Sequence, residues 1–243
     1  MRFNLSYKPF GERAILIEWP SEISKTVLSD ILFFKENIKK HKLGSIVEIR
    51  SAYNSLLVIY NDDTFSFEEE ISLLEIIYSS NKLSKESPSK LWKIPVCYED
   101  HFALDLDVMS EAKQMSKAKI VKLHSETVYT VYFIGFLPGF LYLGGLDERL
   151  VAPRKGTPRM KIKKGAVAIG GSQTGVYPNE SPGGWNIIGN SPIDFFNSKN
   201  EIPCFAKAGD SIQFYEISFE EYNTIKTLVD AGVYQIENEV LND

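Results

Sequence analysis

AVAIGGSQTGVYPNESPGGWNIIGN, residues 166–190, alternates apolar and β-branched runs with Gly, Pro and Asn. From Val128 onward strands dominate the sequence, broken by Gly and Pro at the spacing of barrels and sandwiches. Within this stretch SPGGWNIIG, residues 181–189, sets very different residues side by side. Pro182 fixes one φ and removes a donor. Gly183 and Gly184 lack a Cβ and allow either a positive φ or the close approach of another group. Trp185 adds a large apolar face with one N–H that needs a partner. Two readings follow, a rigid loop walled by Trp185 that faces a ligand, or a tight hairpin over a core tryptophan.

Working outward, SIQFYEI (211–217) reads as a further strand and FEEYNTIKTLVDAG (219–232) as a final helix. On the other side LWKIPVCYE (91–99) opens the same unit, followed by two short helix signals, LDLDVMSEAKQM and KAKIVKLHSE. Before it lies NKLSKESPSK, residues 81–90, a Ser-, Lys- and Pro-containing stretch suited to an exposed linker. The first 80 residues carry a different rhythm. FNLSYKPF and RAILIEWP read as strands, and EISKTVLSDILFFKENIKKH places Ile23, Val27, Ile31, Leu32 and Ile38 at helical spacing. SIVEIRSAYNSLLVIYND reads as a hairpin turning around Ala52 to Asn54. FSFEEEISLLEIIYSS reads as a second helix, with Glu68, Glu69 and Glu70 suited to its first turn. The expectation is a small α+β domain over 1–82, βαββα-like with two helices on one face of a sheet, and a mainly β domain over 90–243.

Composition bounds the function. The 243 residues are 44% hydrophobic and 24% charged with a net charge of −5, as in an ordinary globular protein. That charge gives no general attraction to nucleic acid or anionic lipid, so neither nucleic acid nor a membrane is an expected partner. Cys97 and Cys204 lie far apart without metal-type spacing and read as free thiols of a reducing compartment. The first residues, MRFNLSYKPFGERAILIEW, lack a signal-peptide core, and the uncharged run 131–146 is too short to span a bilayer. A cytoplasmic location is expected.

No phosphate loop, GxSxG elbow or HExxH pair occurs, and a multi-histidine metal site is not expected from three histidines. His41 closes the first helix beside two lysines, and His101 sits in an acidic turn; both read as structural or solvated. His124 ends a short helix just before the richest stretch, where a buried histidine bonded to a carbonyl and a functional one are both open readings. GFLPGF (135–140) again joins Gly, Pro and aromatics. The segment after it clusters Arg154, Lys155, Arg159, Lys161, Lys163 and Lys164 in an otherwise acidic chain. The lysines read as a solvated strand edge. Arg154 and Arg159, each next to a proline, suit bidentate contact with a phosphate or carboxylate. Gln173, Tyr177 and Ser181 add neutral donors and acceptors.

YTVYFIGFLPGFLYLGGLD, APRKGTPR, VAIGGSQTGVYP and SPGGWNIIG, in this order, resemble the family of the 5-oxoprolinase B subunit, also called KipI (kinase A inhibitor) or allophanate hydrolase subunit 1. The resemblance spans about Ile94 to Phe214. It implies a small α+β N-terminal domain followed by a cyclophilin-like β-barrel. It also implies a heteromeric, ATP-dependent hydrolase in which A, B and C subunits together convert 5-oxoproline to glutamate, with this chain silent alone and ATP held at the level of the complex. Carried over by motif, His124 and Arg159 are the implied catalytic residues. Pro138, Gly139, Phe140, Tyr142, Arg154 and Gln173 are implied ligand contacts, as are Tyr177, Ser181, Pro182, Gly183, Gly184 and Trp185. No metal ligand is implied. The same family names carry two other readings, a regulatory protein that inhibits a sporulation histidine kinase and a component of a urea or allophanate hydrolase. Two departures stand out: MKIKKGAV where a Pro-Arg-rich stretch is expected, and Leu137 where a small residue is common.

Overall fold

The computed structural model describes residues 3–41, 43–61, 65–80 and 88–241. The chain divides into two compact units, Met1–Ser87 and Pro88–Asp243. Of the expected linker 81–90, residues 81–87 lie outside the described residues, and Ser89 and Lys90 already belong to a strand.

The first unit runs β1 (Ser6–Pro9), β2 (Ala14–Glu18), α1 (Lys25–Lys40), β3 (Ile46–Ser51), β4 (Ser55–Tyr60) and α2 (Phe67–Ser80). Its antiparallel sheet has the order β1-β2-β4-β3. Side chains alternate along a strand, so Ile15, Ile17, Leu56, Val58 and Tyr60 share a buried face with Val27, Ile31, Phe34 and Ile38 of α1 and with Leu74 and Ile77 of α2. Ser24 caps α1 by accepting the Val27 N–H at 3.3 Å. That cap leaves Ile23 outside the helix and 54% exposed, so Phe34 rather than Ile23 completes the buried stripe. The β3–β4 turn falls at Ala52 to Asn54, closed by the Ala52 N–H donating to the Ser55 carbonyl.

The second unit runs β5 (Ser89–Val96), α3 (Leu106–Lys113), α4 (Lys117–Glu126), β6 (Val128–Ile134), β7 (Leu141–Gly144), β8 (Arg159–Ile162), β9 (Ala166–Gly170), β10 (Gln173–Val176), β11 (Ser181–Gly183), β12 (Asn186–Asn190), β13 (Ser211–Glu216), α5 (Phe219–Asp230) and β14 (Asn238–Leu241). Among the described residues, eight strands form one mixed sheet ordered β12-β9-β10-β7-β6-β13-β5-β14, in which only β13 and β5 pair parallel. The sheet curls back on itself. Cys97, just past β5, and Asn190, at the end of β12, exchange two N–H to carbonyl bonds of 2.9 Å. β8 and β11 form a separate two-stranded ribbon.

β9 explains why its stretch of sequence decides the fold. Val167 and Ile169 enter the large core with Ile94, Val131, Leu143 and Phe214, whereas Ala166 and Ala168 join a second cluster with Phe140, Ile162, Tyr177, Trp185 and Ile187. The strand is covered on both faces, which is why it reads as a continuous apolar run. Among the described residues, no helix is long and apolar enough to cross a membrane.

If each unit folds on its own core, limited proteolysis cuts first between Ser80 and Pro88 and leaves two protected fragments. One resistant species, melting as a whole, would mean a shared core.

Candidate functional site

The second cluster brings the expected Phe140, Tyr142, Tyr177 and Trp185 together. Trp185 is 5% exposed and meets the edge of Phe140 at 5.5 Å and 84°. Phe140 is also edge-on to Tyr177 at 5.5 Å and lies 5.0 Å from Tyr142, whose ring stacks on Phe133 at 4.1 Å. The GFLPGF turn delivers Phe140 to this position. Gly139 there adopts φ +84°, and a Cβ would fall 2.6 Å from the Phe196 Cβ. Pro138 and Pro182 are exposed, Gln173 is half-buried on β10, and the buried Ser181 hydroxyl has no hydrogen-bond partner.

Neither Gly183 nor Gly184 takes a positive φ. Gly183 is small because a Cβ there would lie 2.3 Å from the Tyr177 hydroxyl and 2.8 Å from Ile162, whereas at Gly184 the nearest atom, the Lys155 carbonyl oxygen, is 3.4 Å away. The close approach is therefore to Tyr177. Gly183→Ala is expected to lower the melting temperature well beyond Gly184→Ala, by roughly 1–3 kcal/mol of overpacking; equal melting of the two variants would contradict this assignment.

Burial pushes the Tyr142 and Tyr177 hydroxyls up, while the nearby charge of Arg154 opposes the shift at both. At Tyr177 the Trp185 backbone N–H also favours the ionised form. The exposed Arg154 places its guanidinium 5.6 Å from the centroid of the Trp185 ring, a cation over an aromatic face.

Arg159 behaves differently from the expectation of an anion clamp open to ligand. Its two terminal nitrogens donate to Asp105 at 2.7 and 2.8 Å, in a bidentate pair. Lys155 donates to the same carboxylate at 2.6 Å, and the Ile187 N–H at 2.8 Å. Burial pushes the Asp105 carboxyl up, but Arg159, Lys155 and the Ile187 N–H together hold it below the usual range. Lysines 161, 163 and 164 are exposed, as a solvated edge requires.

His124 is not part of this cluster. It is fully buried on the opposite side of β10, stacked on Phe214 at 4.7 Å, with Tyr98 and Thr174 on its two ring nitrogens at 2.7 and 2.8 Å. The Thr174 hydroxyl donates to the Ala168 carbonyl, so Nε2 must carry the proton and Nδ1 must accept from Tyr98. Burial pushes the ring down to about 3. A neutral, fully bonded imidazole of this kind braces α4 against the sheet and has no access to a ligand at Trp185.

Sequence reasoning missed Asp105. Its neighbours in the acidic run, Asp100 and Asp107, are exposed surface ion-pair partners of Lys117. Nothing in the local sequence distinguishes the three. On the Trp185 face the rings of Phe140, Tyr177 and Trp185 pack edge to face, and the exposed Arg154 guanidinium lies over the Trp185 ring.

Comparison with known proteins places the chain in a family. Residues 5–206 match the family described as "Carboxyltransferase domain, subdomain C and D". The 5-oxoprolinase B subunit of Bacillus subtilis (strain 168) is 31% identical, with 93% of this chain and 98% of that protein covered. Among solved structures, TTHA0988 is 29% identical with a TM-score of 0.74, covering 85% of this chain and 40% of that one. The K. lactis urea amidolyase shares the fold at 21% identity, with a TM-score of 0.82 over 98% of this chain and 16% of its own. The chain thus belongs to the carboxyltransferase subdomain C and D family, in the group that holds the 5-oxoprolinase B subunits.

Proposed function

We infer that this chain is the B subunit of an ATP-dependent 5-oxoprolinase, acting in a cytoplasmic heteromer with the A and C subunits to hydrolyse 5-oxoproline to glutamate. The observation that carries this reading is the end-to-end similarity to the Bacillus subtilis protein. We read the curled sheet of the second unit as a cyclophilin-like barrel, a fold that by itself assigns no chemistry.

The reaction sets clear demands. A five-membered lactam is a resonance-stabilised amide, and phosphorylation of its oxygen makes the ring carbon electrophilic enough for water. ATP supplies that phosphoryl group in the complex. This chain's part is binding and orientation. Phe140, Tyr142, Tyr177 and Trp185 wall the lactam, Arg154 supplies positive charge, and the Gly139 turn and the close approach of Gly183 to Tyr177 hold the walls in place.

The test is reconstitution. The purified chain alone is expected to show no 5-oxoproline-dependent ATP hydrolysis, and adding the A and C subunits restores turnover. Robust turnover by the chain alone, or none by the three together, would overturn the assignment.

A further inference from the structure

The segment between Ala152 and Arg159 carries three cations, and two of them share one buried carboxylate. Lys155 and Arg159 both close on Asp105, whose side chain is 3% exposed. Arg154 is left. Its backbone is held on either side: the Asn186 side-chain amide donates to the Pro153 carbonyl at 2.9 Å, and the Lys155 N–H donates to the Gly184 carbonyl at 2.7 Å. Among the described residues its guanidinium meets no carboxylate and rests over the Trp185 ring.

Asp105 governs both ends of this arrangement. Through Lys155 and Arg159 it ties down the arm that carries Arg154. Through the Ile187 N–H, and through its own N–H donated to the Ile187 carbonyl at 2.8 Å, it ties down the strand that begins just after Trp185. One buried carboxylate thus sets the position of the cation and of the ring beneath it. Without that carboxylate, Arg159 and Lys155 would be free to compete with Arg154 and to move the arm.

We propose that Asp105 is a positioning residue which holds Lys155 and Arg159 by ion pairing, leaving Arg154 as the cation that recognises the carboxylate of a small substrate lying against Trp185. This deepens, and rests on, the reading of that face as the lactam site. A guanidinium suits a carboxylate through two parallel N–H bonds, and its partial desolvation on the indole face strengthens them.

The test compares two ligands of one shape. The full chain is titrated calorimetrically with 5-oxoproline and with 2-pyrrolidinone, the same lactam without a carboxylate. 5-Oxoproline is expected to bind at least about tenfold more tightly, the scale of one charge-assisted hydrogen bond. Arg154→Gln removes the preference. Asp105→Asn lowers it by about tenfold, and Asp105→Glu recovers part of it. If Asp105 were merely structural, Asp105→Asn would weaken both ligands alike and leave their ratio unchanged, and that result would overturn the proposal. So would a wild-type chain that does not prefer the carboxylate, or binds neither ligand. Should Asp105→Asn fail to fold, the charge-balanced pair Asp105→Asn with Arg159→Gln is expected to show the same loss of ratio. Acetate separates the two levels of argument: Arg154-dependent binding of acetate as tight as that of 5-oxoproline would uphold the carboxylate site while refuting the lactam reading.

Discussion

Replacing Asp105 by alanine destabilises the second unit by about 3 kcal/mol, the lower end of the cost of leaving a buried ion pair half-made. The lower end applies because the side chains of Lys155 and Arg159 retain 27% and 28% exposure and can recover some hydration. The loss reaches beyond charge, since the Ile187 N–H loses its side-chain acceptor at the start of β12. The effect has a pH signature. The folded carboxyl lies below its unfolded value, so its contribution is fully present above about pH 4, the ordinary aspartate range, and fades as pH falls through the folded pKa. Urea unfolding of the wild type and Asp105→Asn at pH 7 and pH 3 measures this. The gap between the two proteins shrinks at pH 3; a gap that stayed constant or widened would show that the carboxylate form is not what stabilises the fold.

Trp185→Ala costs about 3–5 kcal/mol, as expected for removing a large buried aromatic ring. The ring is 5% exposed and lies so close over Gly170 that a Cβ there would come within 2.5 Å of it. The floor of the cluster offers little scope for collapse into the space left behind. Trp185→Phe keeps the edge-on contact with Phe140 and loses less. A penalty below about 1 kcal/mol for alanine would mean that the ring only rims a pocket. Trp185 is core on the side facing Gly170 and Phe140, as the hairpin reading requires, and carries the Arg154 guanidinium over its ring.

The three variants at the Trp185 face separate stability from recognition. Gly183→Ala and Trp185→Ala act through packing. Arg154→Gln touches an exposed side chain and is expected to leave melting near that of the wild type while changing ligand preference.

Much of the architecture was legible along the chain because it is encoded in local periodicity. Helical spacing placed α1, acidic residues marked the first turn of α2, and apolar, β-branched runs marked the β3–β4 hairpin. The order of the GFLPGF, APRKGTPR, VAIGGSQTGVYP and SPGGW blocks pointed to the family, since each block is a contiguous run whose glycines and aromatics have fixed local tasks. Only the tertiary structure decided which charges are free. Asp105 lies 54 residues from Arg159 and 82 from Ile187, and a pairing across such distances leaves no trace in either neighbourhood. The same holds for His124, whose neutral state follows from full burial and whose tautomer is fixed by Tyr98 and Thr174 converging on it from separate elements. Sequence specifies a residue's chemistry and its local backbone, whereas a charge or an imidazole acquires its role from desolvation and partners, and these exist only after the chain has packed.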